Sequence, residues 1–127
     1  MSVTLIDRAI ELLEKANANL EPELLRATDA RKLLASYARA EKLAAFGVAA
    51  ITRKVDDWDQ VARITGTSIG KAKAVVETGK AMGSSDDLNL AMKTGSISLD
   101  QATEIAAAGL QDPRRWTGGP SGCTGYR

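Results

Sequence analysis

The sequence predicts an all-α protein, a long helix followed by a bundle built around a helix-turn-helix, and three observations carry that expectation. Aromatic residues make up only 4% of the chain against 44% apolar residues in all, so packing must rest on Ala, Leu, Ile and Val. A composition this rich in alanine, with few turn residues before position 109, favours helices over sheets. Between Glu23 and Lys54 no proline intervenes and Gly47 is the single glycine. Finally, WDQVARITGTSIGKAKAVVETGKAM, Trp58 to Met82, reads as two helices joined by a tight glycine turn.

In chain order, Thr4 opens the first helix, with Asp7 three residues on in a capping-box arrangement. Leu5, Ile6, Ala9, Ile10, Leu12, Leu13 and Ala16 give it a broad apolar face, while Asp7, Arg8, Glu11, Glu14 and Lys15 stay in water. It should end between Asn17 and Leu20, and Pro22, tolerated in a first turn, marks the start of the next helix. That helix is expected from about Glu23 to Lys54, roughly 30 residues and on the order of 45 Å. Ala30, Leu33, Tyr37, Ala40, Ala44, Gly47 and Ile51 recur along it every third or fourth residue, which is heptad spacing. Two readings of this seam stand side by side: it packs on the first helix and the C-terminal bundle, or Leu33, Tyr37, Ala40, Ala44, Gly47 and Ile51 form a homodimer interface.

Val55 to Asp57 make a short acidic connector, after which Trp58, Val61, Ala62 and Ile64 should face inward. Ala62 lies four residues before Gly66, and Ala72 and Val75 follow it by six and nine, the spacing of a helix-turn-helix. A small residue at Ala62 lets the helices cross closely, Gly66 can take the left-handed conformation that ends the first helix, and Ser68 can cap the second. Thr65 and Thr67 stand where apolar residues are usual, so Ile64 and Ile69 are expected to supply the burial. Ala72, Val75, Val76, Gly79 and Met82 share one side of the second helix. The other side carries Gly70, Ala74 and Glu77, with Lys73 and Lys80 on one flank and Lys71 on the other.

Ser84, Ser85, Asp86 and Asp87 offer caps for a short helix through Leu88, Leu90, Ala91 and Met92, closed by Gly95. Ser98 and Gln101 form a capping box for a last helix, with Leu99, Ala102, Ile105 and Ala106 inward. The run LNLAMKTGSISLDQATEIAAA after a helix-turn-helix resembles the stretch that follows the DNA-reading helix in the ParB and KorB partition proteins, a likeness over positions 58–108. A longer one, over 24–108, rests on RKLLASYARAEKLAAFGVAAI, ITGTSIGKAKAVVETGKAM and GSISLDQATEIA. These segments resemble the helical domain of unknown function that precedes HNH nuclease domains in many actinobacterial and mycobacterial repeat-family proteins. The resemblance implies an all-α module of phages or mobile elements with DNA handling as its role. It implies no assigned activity.

Residues 109–127 change character: glycines and prolines without apolar period indicate a flexible tail, in which Arg114, Arg115 and Trp116 could touch nucleic acid. The organisation expected is thus 1–56 for the first and long helices, 57–108 for the helix-turn-helix bundle and 109–127 for the tail. With no histidine and only Cys123, the chain has no residues for HNH chemistry or a transition-metal site, and no cofactor or small-molecule substrate is expected. Asp56/Asp57 and Asp86/Asp87 are explained as connector and cap. Gly66 to Lys71 lacks the order of a phosphate-binding loop and no strand precedes it. An enzyme is not expected. A net charge of +1, no apolar run long enough to span a membrane and no export signal make cytoplasmic residence the default.

The function expected is that of a DNA-binding homodimer, a regulator or accessory factor of a mobile element. Thr67, Ser68, Gly70, Lys71 and Ala74 would approach base edges of double-stranded DNA, and Arg63, Lys73 and Lys80 would hold phosphates. The alternative is a protein-interaction module, in which the long helix is the working surface and the helix-turn-helix only scaffold.

Overall fold

The computed structural model describes residues 2–55 and 57–109. Six α-helices run through them: α1 (Ser2–Ala18), α2 (Ala27–Val55), α3 (Trp58–Thr65), α4 (Ile69–Ser84), α5 (Asp86–Lys93) and α6 (Leu99–Ala107). No strand occurs among the described residues, so the all-α expectation holds. The predicted tail, apart from Gly109, lies outside them. Two compact units are present, Met1–Ala35 and Ser36 onward, with the boundary inside α2.

In the first unit α1 begins at Ser2 rather than at Thr4, because no glycine or proline precedes Thr4 to hold the chain out of a helix. Its end falls where expected: Asn19 donates both its backbone N–H and its side-chain amide to the Lys15 carbonyl, at 3.1 and 2.9 Å. Pro22 does not open the long helix. Its fixed φ is spent on a single 3-10 turn, Pro22–Leu24, after which Leu25 is extended at ψ 138° and breaks the run. The long helix therefore starts at Ala27 and comprises 29 residues.

In the second unit α4 is the hub, packed against α3, α5 and α6. Its apolar side joins two clusters. Val61, Ala62, Ala72 and Val76 close the corner with α3. Val75 and Met82 meet Leu88 and Met92 of α5, Ala102 and Ile105 of α6, and Ala49 of α2. Met82, Leu88, Met92 and Ile105 are fully enclosed, each contributing about 1.5–3 kcal/mol by leaving water. At the crossing with α2, a Cβ on Gly79 would fall on the Ala49 carbonyl oxygen and 2.9 Å from Thr52 Oγ1. Only glycine lets the two backbones meet there, and the Thr52 hydroxyl is satisfied by donating to Ala49 O at 2.6 Å.

On α2, Ala45, Phe46, Ala49 and Ala50 thus pack in the larger cluster, Val55 packs on the smaller one, and Thr52 is buried at the crossing. The heptad seam lies on another side. Ala44 and Ile51 are exposed, Ile51 to 63%, Gly47 would meet nothing if it carried a Cβ, and Tyr37 and Ala40 are half-buried. Leu33, in the first unit, is also half-buried.

Candidate nucleic-acid interface

The α3–α4 corner is built by local chemistry. Asp57 caps α3, its carboxylate accepting from the N–H groups of Asp59 at 3.1 Å and Gln60 at 3.4 Å. Gly66 ends it at φ 71°, and the N–H groups of Gly66 and Thr67 both donate to Ala62 O, at 2.9 and 3.0 Å. Ser68 restarts the chain as a helix by accepting from Lys71 N at 3.1 Å. Val61, Ala62, Ala72 and Val75 are buried, as their spacing requires.

Two inward assignments fail. Trp58 is half-exposed and Ile64 is 73% exposed, and Ile69 is likewise outside the core, so neither isoleucine replaces an apolar pair beside the glycine. The threonines manage without one. Thr65 donates its hydroxyl to Val61 O at 2.7 Å and pairs with the Thr67 hydroxyl at 2.9 Å, so the turn is closed by hydrogen bonds where apolar contact was anticipated.

The outer stripe of α4 is Gly70, Lys73, Glu77, Lys80 and Ser84, all exposed and spaced three or four apart. Gly70 leaves open space around its Cα, with only Ser68 Oγ within 4 Å of where a Cβ would stand, at 3.9 Å. Ala74 is half-buried and sits at the margin of that stripe, its carbonyl accepting from the Thr78 hydroxyl at 2.8 Å. Thr67 is half-buried and Ser68 exposed at the α4 N-terminus. Of the predicted base-edge residues, Thr67, Ser68 and Gly70 thus lie at the α4 N-terminus and Ala74 at the margin of the stripe, while Lys71 stands apart from them.

The predicted phosphate holders have protein partners. The Lys73 ammonium stands 4.5 Å from the centroid of the Trp58 ring, a cation–π contact that links α4 to α3. Lys80 Nζ lies 3.8 Å from Glu77 Oε2, and Arg63 is 3.0 Å from Asp59 Oδ2 one helical turn away. Both ion pairs are solvent-exposed and contribute roughly 0–1 kcal/mol, so neither would oppose the exchange of its carboxylate for a phosphate by much. Lys71 is on the opposite flank. It lines an open cleft of about 200 Å³ together with Glu41, Lys42 and Ala45 of α2 and Ser98, Leu99 and Asp100 at the start of α6.

Sequence reasoning missed the Trp58–Lys73 contact, the Gly79 crossing and the hydroxyl pair of buried Thr78 and half-buried Thr103, 3.1 Å apart between α4 and α6. The one available signal was Gly79 itself, a glycine inside a helix on its buried side. No group of three or more His, Cys, Asp or Glu residues able to hold a metal ion occurs among the described residues, and no described helix is long and apolar enough to cross a membrane. The chain matches no protein-family model, no curated protein and no solved structure.

Proposed function

We propose that this chain is a DNA-binding helix-turn-helix protein that acts as a homodimer in the cytoplasm, with α4 entering the major groove of double-stranded DNA. One observation carries the reading: a glycine-turn corner whose second helix exposes a stripe that opens on Gly70 and carries Lys73 and Lys80, with Lys71 on the opposite flank. Small residues near the α4 N-terminus allow close approach to base edges, and flanking cations meet the two phosphate walls of a groove. The resemblance of residues 24–108 to the helical domain found before HNH nuclease domains supports a role with mobile elements or phages, as regulator or accessory factor.

The test is a salt-dependent mobility-shift assay on random duplex. Binding is expected at low salt, with Lys71→Ala and Lys73→Ala each weakening it and lowering the slope of log K against log salt by about one. Absence of affinity for any duplex, or unchanged binding with both lysines removed, defeats the proposal.

A second reading is favoured by Glu77, a carboxylate in the middle of the α4 stripe, and by the exposed side of α2 at Ala44 and Ile51. Under it the chain is a protein-interaction module that works through α2.

A further inference from the structure

α1 carries its apolar residues in the open. Leu5 is 73% exposed, Ile6 58%, Ile10 48%, Leu12 60% and Leu13 41%, on a 17-residue helix. A helix of this length is marginal in water by itself and draws its stability from burying its apolar stripe. The order of the charges around it identifies what does the burying. At 100° per residue the apolar side chains occupy roughly half the circumference, Glu11 lies opposite them, and the two edges of the stripe differ in sign. Asp7 and Glu14, seven apart, run along one edge; Arg8 and Lys15, also seven apart, run along the other.

Two such helices laid face to face in parallel bring the acidic edge of each beside the basic edge of the other, along both seams. Antiparallel packing sets carboxylates against carboxylates and cations against cations. A lipid surface fits less well, because the polar side holds three carboxylates and two cations where an interfacial helix needs an excess of Lys and Arg. We propose that α1 is a self-association segment that pairs in parallel and in register with α1 of a second copy, with Ile6, Ala9, Leu13 and Ala16 along the seam. This deepens the homodimer reading by assigning it a segment other than α2, and it is independent of DNA recognition.

Two measurements on the full-length chain test it. In a Cys123→Ser background, Ile6→Cys and Ala16→Cys should each cross-link to itself under mild oxidation, since parallel register sets every residue beside its own copy. Cross-linking only in a mixture of the two variants would mean antiparallel pairing and overturn the proposal. Light scattering gives the second: Arg8→Glu/Lys15→Glu and Asp7→Lys/Glu14→Lys should each weaken self-association by about tenfold, and mixing them should restore it. Wild-type protein that is a single chain at tens of micromolar, or reversed variants that associate as the wild type does, would also overturn it. Ala44→Glu separates this seam from the α2 seam. If it alone abolishes association, α1 pairing fails and α2 stands; if only the α1 variants do so, α1 pairing stands.

Discussion

Gly79 sits where the backbones of α2 and α4 meet, and any Cβ there collides with a carbonyl that neither helix can move cheaply. Gly79→Ala should destabilise the fold by about 1–3 kcal/mol although alanine is the better helix former. A lowered urea midpoint at unchanged m checks this; an unchanged midpoint would show that the crossing relaxes. Gly70→Ala is the control, because that position opens on free space and the substitution should stabilise α4 by roughly 0.5–1 kcal/mol. Two glycines in one helix thus carry opposite signs. Their difference was not legible in the sequence, since it depends on Ala49, thirty positions away along the chain. The burial of Ala72, Val75 and Met82 was legible, because their spacing alone places them on one side.

At the scale of elements, the ends of helices were read more accurately than their faces. Gly66, Ser68, Ser85 and the Ser98–Gln101 box lie at most four residues from the groups they satisfy, so sequence contains the whole interaction. Ser98→Ala should therefore cost about 1 kcal/mol, read as a lowered melting temperature, by orphaning the Gln101 N–H. Gly66→Ala should cost roughly 1–2 kcal/mol and Gly66→Val more, purely through the left-handed backbone, as a Cβ there meets nothing within 4 Å. Gly66→Asn should lie closest to wild type among the three. Equal melting temperatures across the series would refute the backbone argument. The start of α2 was misplaced because a proline serves a 3-10 turn as well as an α-helical one. Its packed face was hidden because alanines surround the helix; Ala44, Ala45, Ala49 and Ala50 differ in environment and not in chemistry.

For the molecule as a whole, the second unit has a small core lined by methionine and alanine, and on the α2 seam Ala44 and Ile51 stand exposed. Ala44→Glu would place a charge on that seam; if α1 carries the pairing, light scattering should show self-association unchanged, and its loss with the circular dichroism of the fold intact would assign the pairing to α2. A dimer that reads DNA should prefer paired half-sites a whole number of helical turns apart, so two-fold sites should emerge from selection on random duplexes. Single half-sites recovered at equal affinity would separate DNA recognition from dimerisation. The assembly and the target were the least legible features, because both depend on surfaces whose partners are other molecules.

Trp58 gives this surface an optical readout. Its half-exposed indole lies beneath the Lys73 ammonium at the junction of α3 and α4, and the only other tryptophan in the chain is Trp116. In a Trp116→Phe protein the emission spectrum would report a single ring whose local field is set by one nearby cation. Any anion that draws Lys73 away from the ring changes that field, so titration with duplex should alter the emission intensity of Trp58, and titration into Lys73→Ala should not.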